Sequence, residues 1–360
     1  MLSWTRLFFQ FRVLAMDAQR YDFSSDNSAP LCPAALAAVA EANAGAAPSY
    51  GADRYAAEAA AAIGELLGEE RPVHFVPTGT AGNGLALASM LKPHGAVVCH
   101  PLAHIATDEA GAPHFFAHGA SLAFARGDGA KMDPAALSEL CAAERIPVHE
   151  PRLEAISVSQ STELGTLYSL DELRVIGGIA KARGLRVHLD GARIANAAAA
   201  LGCGLRAMVE ALDPAALVFG GSKNGIALSE AIVLCDEALN EDFAYRVKQS
   251  GHLVSKARFL AAPWAGLIRD GTWLKNAAHA NDMANYLAHE LQNLGFELAC
   301  AAQANAVFVN LPEDIRKGLL ERGWVFYQMW KPGVYRLMCS WCTKPETIRA
   351  FVDDALDCMR

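Results

Sequence analysis

The chain of 360 residues carries 31 Lys and Arg against 39 Asp and Glu, a formal net charge of −8. Nucleic acid and anionic membrane both demand clustered positive charge, so this mildly acidic balance argues against either as a partner. The length suffices for one large domain and a smaller one, and the 9 cysteines, odd in number and scattered, suit a reduced cytoplasmic protein better than a disulfide-stapled one.

Met1 to Ala15 is apolar but broken by Gln10 and Arg12, and the run is too short to span a bilayer. It reads as a dispensable extension ahead of a working start at Met16; a targeting peptide is the other reading, because the run holds Arg and Ser and no acid. From Tyr55 the chain alternates helix and strand: a helix over Tyr55 to Leu67, a strand at Val73 to Val76, a helix over Gly82 to Leu91 and a strand at Ala96 to Cys99. Further strands are expected at Leu122 to Ala125, Ala155 to Val158, Val187 to Leu189, Leu217 to Phe219 and Ile232 to Leu234. Ser169 with Glu172 makes a capping pattern for a helix over Asp171 to Arg183. Such alternation implies an α/β fold whose largely parallel sheet is covered by helices on both faces. After Ala238 two long helices are expected, Phe243 to Leu267 and Trp273 to Leu294, then short strands at Ala306 to Asn310 and Val334 to Cys339 and a helix from Pro345. The change of pattern places a cofactor-binding domain over 16–250 and a small α+β domain over 251–360.

Two strand ends carry the chemistry. Leu217-Val218-Phe219 runs into Gly220-Gly221-Ser222-Lys223-Asn224-Gly225, and Leu185-Arg186-Val187-His188-Leu189 runs into Asp190-Gly191-Ala192-Arg193. A lysine after a strand is usually a solvated surface charge. Here the glycines leave room for a planar ring and a close backbone approach, and an amine set among apolar strand and glycine sheds its proton more readily. Asp190 stands where open α/β sheets bind ligands. Amine and carboxylate together are what pyridoxal phosphate needs, one to form the imine and the other to keep the pyridine nitrogen protonated.

Thr78-Gly79-Thr80-Ala81-Gly82-Asn83-Gly84 follows a strand and opens a helix, offering N–H groups and hydroxyls to the cofactor phosphate. Its spacing is neither that of a Walker loop nor that of a dinucleotide fingerprint. His104, just past the strand ending at Cys99, is placed to stack on a pyridine. Arg193 and Arg336 are candidates for a substrate carboxylate. Arg336 lies inside the apolar strand Val334 to Met338, where an unpaired guanidinium is costly, so an anionic partner is expected, either substrate or structural acid. Cys339-Ser340-Trp341-Cys342 has a metal-type spacing, but no second pair accompanies it and no metal is expected.

These motifs, with Phe23-Ser24-Ser25-Asp26-Asn27, Ser49-Tyr50-Gly51-Ala52-Asp53 and Phe75-Val76-Pro77, resemble in order the low-specificity L-threonine aldolases. The likeness, to a family of aspartate-aminotransferase-like pyridoxal-phosphate enzymes, runs from about Tyr21 to the C-terminus. It implies a transferase-like large domain with a mostly parallel seven-stranded sheet, a smaller α+β C-terminal domain, and a homo-oligomer, dimer or tetramer, with the active site near a subunit interface. By the same resemblance Lys223 forms the imine, Asp190 pairs with the pyridine nitrogen and His104 stacks on the ring. Gly79, Thr80 and Ser222 hold the phosphate, while Ser25, Arg193 and Arg336 hold the amino-acid carboxylate, with Arg193 also near the cofactor. Two departures stand out. Where many members have Glu-Asn-Thr-His-Asn-Gly, this chain has Ser159-Gln160-Ser161-Thr162-Glu163-Leu164-Gly165, which sets Glu163 at the position of a histidine near the substrate hydroxyl. The basic phosphate contact from a neighbouring subunit falls on Lys248 or Lys256. The implied reaction cleaves L-threonine, L-allo-threonine and related L-β-hydroxy-α-amino acids to glycine and an aldehyde, with His104 as the base and Glu163 as the second choice. A phenylserine-preferring aldolase or a β-eliminating lyase of the same fold is the nearest alternative, and a non-catalytic cofactor-binding protein is a more distant one.

Overall fold

The computed structural model describes residues 19–329 and 331–360; the stretch Met1 to Ala15 lies outside them. Among the described residues one sheet is built from β1 (Val73–Val76), β2 (Gly95–Cys99), β3 (Ser121–Phe124), β4 (Arg152–Ser159), β5 (Arg186–Gly191), β6 (Ala216–Gly220) and β7 (Glu230–Leu234). Their order is β1-β7-β6-β5-β4-β2-β3. β7 runs antiparallel to both neighbours and the other pairs are parallel, as expected of a mostly parallel seven-stranded α/β sheet. Every residue of β2, β6 and β7 is buried, which a sheet covered on both faces requires, and which makes these strands read as nearly unbroken apolar runs. Successive side chains serve opposite cores. Leu217 and Phe219 pack in the core that holds Ile156, Leu189 and Trp264, and Val218 in the one that holds Val76, Leu85 and Ile232.

The helix Gly79–Met90 covers this second face and begins ahead of the expected Gly82, because Thr78 caps it: Thr78 Oγ1 accepts the Ala81 N–H at 3.1 Å. The single helix expected over Phe243 to Leu267 is two, Phe243–Gln249 and Arg258–Arg269. The chain leaves the first of them at Gly251, whose φ of +79° favours glycine. Pro263 sits inside the second without ending it.

The small sheet joins β8 (Ala306–Asn310), β10 (Val334–Met338) and β9 (Tyr327–Gln328), all antiparallel and in that order. Its core includes an aromatic cluster, with the rings of Phe23, Trp324 and Phe351 5.0, 5.1 and 5.6 Å apart. Phe23 comes from the N-terminal segment, and its carbonyl accepts the Met338 N–H at 3.0 Å. That anchor delivers Ser25 and Asp26, two and three residues on, to the meeting of the two sheets. Among the described residues no helix is long and apolar enough to cross a membrane.

Candidate active site

At the carboxyl edge of the large sheet, Ser159 of β4 is in register with Asp190 of β5, and β6 ends at Gly220. A short turn, Ser222–Asn224, then presents Lys223. What Gly220 admits is the protein's own chain, since a Cβ there would overlap the Ala192 carbonyl oxygen. Lys223 is half-buried, and among the described residues its Nζ makes no hydrogen bond or salt bridge. Burial holds its pKa below the usual lysine range and Arg193 adds to that, while Asp26, Asp190 and Glu230 oppose it. More of this amine is therefore neutral, and nucleophilic, than on a surface lysine.

Asp190 is buried; its Oδ1 accepts the Ala192 N–H at 3.0 Å and its Oδ2 accepts from Asn83 Nδ2 at 3.0 Å. Burial alone would raise its pKa, but His104, His188, the Ala192 N–H and Lys223 outweigh burial and keep the carboxylate ionised. Asn83 Nδ2 also donates to Glu109 Oε1 at 2.8 Å, and the same oxygen lies 2.8 Å from His104 Nδ1. One line of contacts thus runs from Asp190 through Asn83 and Glu109 to the imidazole. Burial would lower the pKa of His104, yet Glu109 and Asp190 raise it above the ordinary 6.5. With Nδ1 turned to Glu109, Nε2 is the nitrogen left to work, with Asp108 Oδ2 at 3.7 Å. Glu163 adjoins the same histidine: its Oε1 accepts the His104 backbone N–H at 2.9 Å and the Ser159 hydroxyl at 2.7 Å. Burial pushes the Glu163 carboxyl up against those bonds.

Arg193 and Arg336 line one cavity with Ser161, Thr162, Glu163 and Asn305. Arg193 is already neutralised, with Nε and Nη2 donating to Asp26 Oδ2 and Oδ1 at 2.6 and 2.9 Å. Asn305 Nδ2 donates to Asp26 Oδ2 at 3.0 Å. Against the cost of burial, these partners hold the Asp26 carboxyl at about 2. Arg336 makes no salt bridge among the described residues, and its Nε is buried without a hydrogen-bond partner. Burial and the charge of Arg193 both lower its pKa. No acid pairs with Arg336 among the described residues; Asp26 and Asp108 act on it only through their charge.

The remaining expected site residues divide. Gly79 and Thr80 are the first residues of their helix, so their N–H groups lack intrahelical acceptors. Ser25 Oγ accepts the Asn27 N–H at 3.2 Å, and Ser222 Oγ accepts the Ser229 N–H at 3.3 Å. Lys248 and Lys256 stay on the surface, Lys248 Nζ lying 4.4 Å over the Tyr50 ring.

Residues 22–314 match the family model described as beta-eliminating lyase. The chain is 42% identical over 340 residues to the low specificity L-threonine aldolase of Pseudomonas sp. (strain NCIMB 10558), covering 94% of this chain and 98% of that one. It is also 42% identical to the low specificity L-threonine aldolase of Pseudomonas aeruginosa, covering 92% and 96%. The chain belongs to the low-specificity L-threonine aldolase family. The solved threonine aldolase of Leishmania major superimposes on it with a TM-score of 0.88 at 29% identity, covering 95% of this chain and 100% of that one.

Pyridoxal phosphate is the cofactor of this family, and the side chains present suit it. A half-buried amine without a partner among the described residues, a buried carboxylate kept ionised and a capped helix with free N–H groups match the carbonyl, the ring nitrogen and the phosphate in turn. Against the family pattern, the structure adds Asp26, Asn83, Glu109 and Glu230, for which the sequence reading named no role. Asn83 had a signal, being a lone amide in the Gly-, Ala- and Leu-rich helix Gly79–Met90.

Proposed function

We propose that this threonine aldolase family member cleaves the Cα–Cβ bond of L-threonine, L-allo-threonine and related L-β-hydroxy-α-amino acids, releasing glycine and an aldehyde. The observation that carries this reading is Arg336, unpaired among the described residues, beside the neutralised Arg193, in one cavity with Glu163 and next to His104. One fixed carboxylate site and one base at a set place suit an amino acid whose side chain carries the hydroxyl. When bound, pyridoxal phosphate supplies the electron sink for the carbanion left at Cα. Lys223 offers the neutral amine, Asp190 holds a proton at the ring nitrogen, and Gly79, Thr80 and Ser222 take the phosphate. Arg336, with Ser25 and the free edge of Arg193, clamps the carboxylate and so fixes which bond at Cα is aligned for breaking. His104 Nε2 takes the β-hydroxyl proton, its ring held by Glu109, and Glu163 is the second choice for that role. We further infer a cytoplasmic homotetramer in which Lys248 or Lys256 reaches a neighbouring subunit's phosphate, and a domain boundary near residue 250. Both lysines are exposed, and sedimentation equilibrium checks the assembly.

Arg336→Ala is expected to raise KM about ten- to a hundredfold, the worth of a lost charged hydrogen-bond pair, with the visible absorption of the cofactor retained. A structural ion pair at Arg336 gives the opposite pattern, a lower Tm with an unchanged KM per folded molecule. Measuring both on one preparation decides.

A further inference from the structure

Glu230 opens β7, and because β7 is antiparallel to β6 and β1, it stands at the edge where those two strands end. Its partners in register are Gly220 and Val76. Partners in register share a face, so the Glu230 side chain belongs to the face of Val76, Val218 and the helix Gly79–Met90. Asp190, in register with Val218, is on that face too. Glu230 is only 6% exposed and makes no salt bridge among the described residues. Its Oε2 accepts the Gly221 N–H at 2.7 Å, just ahead of the lysine turn. Next to it, Ser229 binds the same turn through Ser222, and its Oγ accepts from Trp264 Nε1 at 2.9 Å. A buried acid on a floor this firmly held is more than a hydrogen-bond acceptor for the Gly221 amide and the Ser222 hydroxyl, a task that a neutral side chain performs without the cost of burying a charge.

We propose that Glu230 is a positioning residue for Lys223: it holds the turn through Gly221 and, as a buried acid beside the amine, sets the pH at which the lysine nitrogen gives up its proton. The proposal rests on the reading of Lys223 as the amine that carries the cofactor. The charged groups set against Lys223 are Arg193, Asp26, Asp190, Glu230 and His104, and those set against Glu230 are Lys223 and Asp190. Arg193 and Asp26 neutralise each other, and Asp190 stays ionised. Burial pushes the Glu230 carboxyl up to about 7, against the bonds from Ser222 and Gly221 and the charge of Lys223. Glu230 is thus the carboxyl of this set whose charge changes in the neutral range; His104, also raised above 6.5 and acting on Lys223, is the other group that titrates there, and it is unaltered in a Glu230 variant. Below that range it is neutral and leaves the nitrogen to lose its proton readily; above it, the carboxylate favours the protonated nitrogen.

The test is a pH titration of the visible absorption of the cofactor-loaded enzyme, which follows the proton on the Lys223 nitrogen. Glu230→Gln keeps an oxygen for the Gly221 N–H but never ionises, and is expected to move the midpoint to lower pH by about one unit. Glu230→Asp keeps the charge and is expected to stay near the wild-type midpoint. An unchanged midpoint in Glu230→Gln, a band that moves with pH in neither protein, or an equal shift in Glu230→Asp overturns the proposal. If Glu230→Gln does not load cofactor, infrared spectra of carboxyl-labelled wild-type enzyme decide: a buried glutamate must lose its proton over the interval in which the visible band moves, and none doing so overturns it. Failure here is distinct from failure of the Lys223 assignment, which shows itself as a visible band that survives replacement of that lysine.

Discussion

Lys223→Ala is expected to yield a folded protein without the pH-sensitive visible absorption of a lysine-bound cofactor and without turnover. The loss should be complete, because among the described residues no other lysine combines a strand end, partial burial and a free Nζ. Lys131 is paired with Glu172, Lys275 Nζ donates to the Asp270 carbonyl at 2.8 Å, and Lys248 and Lys256 are exposed. Burial further lowers the pKa of Lys223, a condition for imine formation that surface amines lack. Borohydride reduction followed by peptide mapping checks the site directly, and cofactor fixed at a different lysine refutes the assignment.

Asp190→Asn is expected to keep the fold and some cofactor while losing most activity. A neutral amide no longer holds a proton at the ring nitrogen, and removing the charge from such a partly desolvated pair costs about 2–5 kcal/mol. Because Asp190 is held ionised by His104, His188, the Ala192 N–H and Lys223, the wild-type contribution persists across the neutral range and fades only in acid, as the carboxylate takes up its proton below the ordinary 3.8. Near-normal turnover in the variant would reduce Asp190 to a turn residue.

The parts of the site that were legible are local in the chain. β5 into Asp190 and β6 into Lys223 are apolar runs that end in a charged residue beside glycine, so both strand and chemistry lie within a few neighbours. The partners were not legible because the fold makes them from far apart: Asn83 meets Asp190 across 107 positions and Arg193 meets Asp26 across 167. Arg193 therefore read as a free substrate ligand, whereas the structure engages two of its nitrogens with Asp26. Glu230 hid in an apolar strand, and Glu109 hid behind a histidine five positions earlier that carried the more obvious signal. In the fold, hydrophobic periodicity carried through Leu253 and concealed the break at Gly251 between two helices.

The central claim, cleavage between Cα and Cβ, is tested most directly by product analysis of the cofactor-loaded enzyme with L-threonine, L-allo-threonine, L-phenylserine and D-threonine. On the proposed assignment, a carboxylate clamp and a lysine face would fix the hand at Cα, whereas Cβ would meet only the region of His104 and Glu163, where discrimination is worth about 1–3 kcal/mol. The expected result is glycine and aldehyde in equal amounts from the L-substrates, both threonine diastereomers included, and little from the D-form. Ammonia and a keto acid in place of glycine would contradict the claim and establish a β-eliminating lyase on the same fold.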